Sequence, residues 1–248
     1  MVDKKSRGFV FLFLVIGVFV SFISFSSAFS GSGNGSLADP YQITNWTQLN
    51  ETKLDLTANY SLVANLSSAT SGYAGLGDNW TPIGNATANW QFTGSLNGNN
   101  NTISNLTINL PSTDYVGLFG YTTGNISNVG LIGANVTGNR RVGGLVGLQN
   151  SGTISNSYST GNVRNLGDLS GGLVGVVSGD ISNSYSTGNV SGTQYTGGLV
   201  GLQNSGTISN SYSTGNVTGS LTETGGLVGK FSGDISNSYS TGNVSGTQ

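Results

Sequence analysis

The stretch GGLVGLQNSGTISNSYSTGNV, residues 143–163, decides the fold, because it returns without change at residues 197–217. Its tyrosine belongs to a series with a constant 27-residue spacing: Tyr158, Tyr185, Tyr212 and Tyr239. A fixed period of this length is the signature of a solenoid or a related repeat array.

A sister version of this unit alternates with it along the chain. GGLVGVVSGDISNSYSTGNVSGTQ covers residues 171–194 and recurs at 225–248, where only two positions differ. The pair of units therefore has a 54-residue period, as from Gly144 to Gly198. One 27-residue unit is the building block of the fold, and units of two kinds alternate.

The composition of the unit favours strands over helices. Glycine, serine, threonine, asparagine and β-branched residues dominate it, and glycine at this density disfavours helix. Short β-branched runs separated by turn residues predict three strands and three turns in each unit. The sequence thus predicts an all-β fold, a right-handed parallel β-helix of 27-residue coils, with the hand set by the strong bias of parallel crossovers.

Alternation within the central strand predicts which side chains face inward. With period 2, Ile154, Asn156 and Tyr158 share one face, and the serines between them share the other. We expect Leu145, Ile154, Tyr158, Val163 and their equivalents inside the coil, and rows of serine and threonine outside. Stacked coils would then align an inner amide ladder of Asn156, Asn183, Asn210 and Asn237.

Residues 1–28 predict export. Three basic residues precede an apolar run over residues 9–23, and Ser26, Ser27 and Ala28 provide a small-residue exit. This pattern is typical of a secretory signal peptide, cleaved after Ala28. An uncleaved membrane anchor is the alternative, and either version places the remaining chain outside the cytoplasm, as an extracellular or cell-surface protein.

The region after the leader divides into a cap and a solenoid. Residues 29–91 predict an N-terminal capping region with a strand at Tyr41–Ile43, a short helix over Trp46–Leu54 and a strand over Tyr60–Leu66. Residues 92–248 predict the solenoid, with the repeated motif over 116–248 and a divergent first copy at residues 116–120. An Ile-Ser-Asn triplet first appears at Ile103.

Composition excludes several classes of function. Cysteine and histidine are absent, so disulfides, thiol chemistry, HExxH zinc sites and Ser-His triads are excluded. From Phe29 onward there are five basic and nine acidic residues, which gives no basic face for nucleic acid.

Sequons for N-glycosylation are dense, and chance in an Asn/Ser/Thr-rich chain is the alternative to modification.

The repeated motif carries a family resemblance. Gly-Gly-Leu-Val-Gly followed by Gly-x-Ile-x-Asn-Ser-Tyr-Ser-Thr-Gly-Asn-Val, over residues 116–248, resembles the GLUG repeat of bacterial and archaeal surface proteins. That family includes regions of IgA-specific metalloendopeptidases. The resemblance implies an extracellular repeat region and supplies no activity. At the turn Leu96–Asn99 the family's aspartate is replaced by asparagine, which argues against a cation or catalytic site there.

A few charged residues are candidates for chemistry on such a scaffold. Carboxylates at glycosidase spacing, aided by arginine, would suit a carbohydrate-active β-helix. The candidates are Asp78, Asp114, Arg140, Arg141 and Arg164. We interpret them as scattered surface charges, and Asp180 and Asp234 as repeat variants of Thr153 and Thr207. The sequence predicts no catalytic, cofactor-binding or metal-binding residues and no cofactor.

Three function classes follow. A non-catalytic stalk, adhesion or interaction module of a secreted or surface protein is favoured, with glycans, host-matrix proteins or cell-surface proteins as partners and no nucleic acid. A carbohydrate-active β-helix enzyme, or an accessory region of a larger secreted peptidase, is the alternative. An ice- or surface-binding solenoid is the third, motivated by the expected Ser/Thr rows.

The C-terminal end gives a further expectation. The sequence stops at Gln248, whereas the matching Gln194 is followed by the next unit. We expect further repeats and a terminal domain beyond this point. We also expect self-association through an open C-terminal end, since an uncovered last coil exposes unpaired strand edges.

Overall fold

The computed structural model describes residues 29–246, and these form a β-solenoid in which every strand pairing is parallel. The predicted signal peptide, residues 1–28, lies outside the described residues. Five sheets run side by side, and each regular coil adds one strand to each of them. The predicted all-β parallel solenoid is confirmed.

We number the sheets in the order in which a coil visits them. Sheet 1 has eight strands: Tyr41–Ile43, Asn59–Leu62, Ser95–Asn97, Asn125–Ser127, Thr153–Ser155, Asp180–Ser182, Thr207–Ser209 and Asp234–Ser236. Sheet 2 has six strands: Thr102–Ser104, Gly130–Ile132, Tyr158–Ser159, Tyr185–Ser186, Tyr212–Ser213 and Tyr239–Ser240. Sheet 3 has six strands: Thr107–Asn109, Asn135–Gly138, Asn162–Asn165, Val190–Gly192, Val217–Gly219 and Val244–Gly246.

The remaining two sheets have five strands each and lie on either side of the Gly-Gly-Leu turn. Sheet 4 contains Asp114–Val116, Arg140–Gly143, Ser170–Gly171, Thr196–Gly197 and Thr224–Gly225. Sheet 5 contains Phe119–Thr122, Val146–Gln149, Val174–Val177, Val200–Gln203 and Val228–Phe231.

The repeat period sets the register of the stack. Ile154 pairs with Ile181, and Ile181 with Ile208, so each partner lies one repeat unit further along the chain. Identical residues therefore lie above one another, as the periodicity predicts. Leu145, Ile154 and Val163 are at most 2% exposed, so their predicted inward orientation is confirmed.

Each coil has five short strands where the sequence predicts three. One is added because a corner divides the central strand, and the other is the sheet 4 strand before the Gly-Gly-Leu turn. Asn156 has a φ of +48°, in the left-handed region that asparagine tolerates better than most residues. The chain turns at this residue, so Thr153–Ser155 belongs to sheet 1 and Tyr158–Ser159 to sheet 2. The same corner recurs once in each following unit, at Asn183, Asn210 and Asn237.

The corner reverses the predicted orientation of the residues directly after it, Ser157 to Ser159. Tyr158 is only half-buried, whereas Ser157 and Ser159 are at most 1% exposed. The predictions of an inward tyrosine, an outward serine row and an inner ladder from Asn156 are therefore wrong. Period-2 alternation holds only along a continuous strand, and the left-handed residue interrupts it.

The buried serines explain one glycine of the repeated motif. A Cβ added to Gly144 would overlap the Oγ atom of Ser159, and Gly172 faces Ser186 in the same way one coil later. The second glycine of Gly-Gly-Leu-Val-Gly therefore makes room for the second serine of Ser-Tyr-Ser. The two motifs are coupled through the interior of the coil.

The N-terminal region, residues 29–91, joins the same stack but is irregular. Its helix Trp46–Glu51 begins at Asn45, whose side chain accepts a hydrogen bond from the Gln48 amide, and continues as a 3₁₀ helix at Thr52–Leu54. An irregular turn follows at Tyr73–Gly77, with non-helical backbone angles at Ala74 and Gly75. The predicted first strand and short helix are confirmed, and the strand predicted over Tyr60–Leu66 is shorter, at Asn59–Leu62.

Candidate functional site

The outer surface of sheet 2 is a stack of tyrosine rings. Neighbouring ring centroids along the stack are 4.7, 4.8 and 5.2 Å apart, with interplanar angles of at most 7°. Burial against the neighbouring rings raises the pKa of the Tyr185 hydroxyl. Because each ring covers the face of the next, only ring edges and hydroxyls along the stack are available to a ligand.

Glycine defines where the tyrosine stack begins. Tyr158 pairs with Gly130 of the preceding coil, and a Cβ at Gly130 would overlap the Tyr158 ring. The first ring therefore lies directly over the backbone of Gly130. Within the described residues the stack runs from Tyr158 to Tyr239.

The charged candidates Asp114, Arg140 and Arg141 lie together on sheet 4, and each contacts a neighbouring residue. Arg140 donates to both carboxylate oxygens of Asp168, at 2.6 and 3.1 Å, and this contact raises the pKa of the Arg140 guanidinium. Asp114 is the strand partner of Arg140 and accepts a hydrogen bond of 2.9 Å from the Asn139 amide. The Arg141 guanidinium lies 4.8 Å from the centroid of the Tyr115 ring.

The other acidic candidates have local structural roles. Asp78 accepts a hydrogen bond from the Gly75 amide within its own turn. Asp180 pairs with Thr153 on one side and accepts from the Thr207 amide on the other, and Asp234 pairs with Thr207. Asp180 and Asp234 thus occupy the threonine position of the repeat, as predicted. Within residues 29–246 no three metal-ligating side chains are grouped together.

A groove on sheet 3 holds the remaining candidate, Arg164. We define the asparagine groove by its lining residues, which enclose about 460 Å³: Asn135, Thr137, Asn162, Val163, Arg164, Asn189, Val190, Ser191, Asn216 and Thr218. Arg164 is exposed there, in register with Thr137 of the preceding coil and Ser191 of the following one.

The asparagines of this groove form a ladder between side chains and backbone. The Oδ1 atom of Asn162 accepts from the Asn189 amide at 3.1 Å, and Asn189 and Asn216 repeat the contact at 3.0 and 3.1 Å. Since each Oδ1 atom is engaged, the orientation of each side-chain amide is fixed and its Nδ2 group remains as a donor. This ladder replaces the inner one predicted from Asn156.

A second, smaller groove of about 240 Å³ lies in the N-terminal region. Its lining includes Lys53, Asp55 and the exposed indole of Trp90. Burial lowers the pKa of Lys53 to about 8. Asp55 accepts hydrogen bonds from the amide and hydroxyl of Thr57, so its carboxylate stabilises a turn.

Sequence reasoning included Arg164 among the candidates but missed the groove around it. The groove depends on equivalent residues of successive units lying side by side, which the stacking register provides. Alignment of the units would have shown the signal, because Arg164 occupies a position that is serine or threonine in the neighbouring coils. The amide ladder was assigned to the wrong asparagine because the corner at Asn156 was read as strand.

Comparison with known proteins agrees with this architecture. A family model described as the GLUG motif matches residues 138–164, 168–191 and 192–218. The chain is therefore a repeat protein that carries GLUG motifs.

Two known proteins are similar to parts of this chain. Halomucin of Haloquadratum walsbyi is 40% identical over 154 residues, which cover 59% of this chain and about 2% of halomucin. The solved structure of a candidate immunoglobulin A1 protease from Bacteroides ovatus superposes with a TM-score of 0.71 at 26% identity, covering 86% of this chain and 69% of that one.

In residues 29–246 there is no helix long and apolar enough to span a membrane.

Proposed function

We propose that this GLUG-motif solenoid is a non-catalytic repeat region of a secreted or cell-surface protein, serving as a stalk and interaction module. The observation that carries the proposal is the register of the tyrosine strands, which pair at a constant 27-residue spacing and stack similar coils into an elongated body with regular outer rows. Repetition of this kind produces length and a repeated surface rather than one unique cleft.

The state of the charged candidates supports the absence of catalysis. A glycosidase needs two carboxylates that are free to exchange protons with substrate. Here Asp168 is held by Arg140, Asp114 accepts from Asn139, and Asp180 caps the backbone of the next coil. These contacts fix the surface of the solenoid, so we assign the residues a structural role.

Export is part of the same proposal and rests on the sequence of residues 1–28. We expect cleavage after Ala28, so that the mature chain begins at Phe29. N-terminal sequencing of the protein from its own host tests this directly. A protein that retains residues 1–28 and fractionates with membranes would support the uncleaved anchor instead.

The location of the solenoid is tested on intact cells. An antibody raised against residues 143–246 should label unpermeabilised cells or detect the protein in the medium. A cytoplasmic protein of known location, probed in the same samples, controls for cell lysis. Labelling only after permeabilisation would refute a surface or secreted role.

An accessory role in a larger secreted peptidase is the second candidate, favoured by the structural similarity to the candidate immunoglobulin A1 protease. Incubation of the purified chain with immunoglobulin A1 should give no cleavage under this proposal and under the stalk proposal. Cleavage by the chain alone would contradict both. Binding to immunoglobulin A1 without cleavage would favour the accessory role.

We also propose that several of the sequons carry N-linked glycans. Asn34 and Asn85 are exposed in turns, where their side chains accept from the amides two residues later. Sequons on sheet 3 are more crowded, since adjacent coils lie only about 4.8 Å apart. Glycopeptide mass spectrometry of the native protein should find glycans on turn sequons before those of the asparagine groove.

A further inference from the structure

Arg164 differs from the other basic residues because it has no partner among residues 29–246. The other four are engaged: Lys53 donates to Asn50 and Thr81, Arg140 pairs with Asp168, Arg141 lies over Tyr115, and Lys230 pairs with Glu223. An arginine presents five donors in a planar fork suited to carboxylate or sulfate oxygens. Arg164 therefore carries an unused capacity for binding an anion.

The groove around Arg164 offers donors and no competing anion. None of its lining residues is acidic. The ladder engages the Oδ1 atoms of Asn162 and Asn189, which leaves their Nδ2 groups as donors without a partner in the described chain. Hydroxyls of Thr137 and Ser191 lie on either side of Arg164 in the register of sheet 3.

The position of Arg164 is an exception in a chain that otherwise copies its units. The equivalent position is threonine or serine in the other repeat coils, at Thr137, Ser191 and Thr218, and asparagine at Asn109 in the first coil of sheet 3. Arginine here also removes a sequon, because Asn162-Val-Arg164 lacks the hydroxyl residue that Asn135-Val-Thr137 and Asn189-Val-Ser191 retain. Asn162 thus stays free of glycan and its amide stays available beside the guanidinium.

We propose that the asparagine groove binds an acidic polysaccharide. One anionic group, a carboxylate or a sulfate, pairs with the Arg164 guanidinium, and sugar oxygens of the neighbouring units accept from the amides of Asn162 and Asn189. An extended sugar chain fits the geometry because donors recur once per coil along the groove, and the tyrosine stack shows coils 4.7 to 5.2 Å apart. This inference names the partner class of the proposed surface module. It rests on that proposed function only for the location, outside the cell, at which the protein would meet the polymer.

The test uses the purified chain from a bacterial host without N-glycosylation, because serine at position 164 would complete a sequon at Asn162. Polygalacturonate and its fully methyl-esterified form have the same backbone and differ in the carboxylate. Dextran sulfate and dextran form the equivalent pair for sulfate. Titration calorimetry at low salt should show binding to at least one charged polymer and none to its neutral counterpart.

Substitution then assigns the binding to the groove. Arg164→Ser installs the residue of the equivalent position Ser191, so folding should be preserved and is checked by circular dichroism. We expect at least a tenfold loss of affinity, the effect of removing a hydrogen bond to a charged group. Lys230→Val removes the same charge outside the groove, installs the sister residue Val176, and should change affinity less than twofold.

Each outcome has a clear meaning. Preference for the carboxylated or the sulfated polymer supports the proposal and identifies the anionic group. Equal binding by Arg164→Ser and the unaltered chain, equal binding of charged and neutral polymers, or binding of neither charged polymer would overturn it. Because the measurement uses purified protein, failure here leaves the cell-surface proposal standing, and failure of surface labelling leaves the binding result standing.

Discussion

The N-terminal region, residues 29–91, and the repeat region, residues 143–246, contribute strands to the same sheet but are stabilised differently. In the N-terminal region Trp46 and Trp80 are buried, with ring centroids 6.2 Å apart. Their indole nitrogens donate to the carbonyls of Ser67 and Leu118. In the repeat region every buried apolar side chain is valine, leucine or isoleucine.

The difference shows two ways of holding a parallel stack together. Single-copy aromatic contacts stabilise the irregular region, so each one has no substitute elsewhere. In the repeat region a contact recurs in each coil, as the pairing of Ile154, Ile181 and Ile208 shows. Stability there is the sum of similar coils and their interfaces. Substitutions in the two regions should therefore differ in how far their effects spread.

The largest effect is expected from Ile181→Asp in a central coil. Ile181 is fully buried between two isoleucines, so aspartate would place an unpaired carboxylate in the stack. We expect a loss of more than about 4 kcal/mol of unfolding free energy, measured by urea denaturation. Asn183→Asp adds the same charge at an exposed corner and should cost little. A loss below about 1 kcal/mol for Ile181→Asp, the size of an ordinary substitution, would contradict its inward role.

Trp80→Ala tests the dependence of the N-terminal region on single residues. Trp80 is 1% exposed and donates to the Leu118 carbonyl, so its removal leaves a cavity and an unpaired acceptor. We expect a cost of about 3–5 kcal/mol. Hydrogen exchange should show opening confined to the N-terminal region while residues 143–246 stay protected. Trp90→Ala, at an indole that is 55% exposed, is the control, and equal costs for the two would refute the contrast.

The tyrosine stack allows the additivity of repeated contacts to be measured. Tyr185 stacks on a ring at each side, whereas Tyr239 has one such neighbour in the described chain. At roughly 0.5–1.5 kcal/mol for each aromatic pair, Tyr185→Ala should cost about twice as much as Tyr239→Ala. Chemical denaturation of both single variants and of Tyr185→Ala with Tyr212→Ala gives the coupling. A larger cost at Tyr239 would show that the stacking contacts are not the source of the stability.

The smallest effect concerns the charge of Lys53 in the N-terminal region. Its ammonium group is partly buried over the Trp80 ring, and burial lowers its pKa to about 8 from an ordinary value of 10.5. Between these pH values the unfolded chain binds more protons than the folded one, so stability should rise with pH through this window. The melting temperature should be higher at pH 9.5 than at pH 7.5, and Lys53→Met should abolish the rise. An unchanged slope in that variant would exclude Lys53 as the cause.

The sequence was sufficient for the features that follow from period and composition. The 27-residue spacing gave the parallel stack and its register, and the inward positions of Leu145, Ile154 and Val163 followed from alternation along single strands. The corner at Asn156 was not predicted, because its flanking residues continue an alternating pattern and only the backbone shows the left-handed conformation. One such residue reversed the faces of Tyr158 and of the serines around it.

The candidate site was less accessible to sequence reasoning for a different reason. Arg164 is visible as a departure from the repeat, but its lack of a partner in the described chain depends on where each other charge lies. Arg140 pairs with Asp168 in the next coil, 28 residues away, and no local sequence motif predicts that pair. The groove itself is formed by strands of several coils, so its shape appears only when the coils are stacked.

The shared register of the five sheets also gives the solenoid a defined response to mechanical tension. A pull on the two ends of the repeat region loads its coils in series, so a terminal coil detaches before its neighbours. Each detached 27-residue coil lengthens the chain to roughly 90 Å, at ~3.3–3.6 Å per residue, from the 4.7 Å it occupied in the stack. The region would extend in equal steps, absorbing work at each one while the remaining coils keep their outer surface intact.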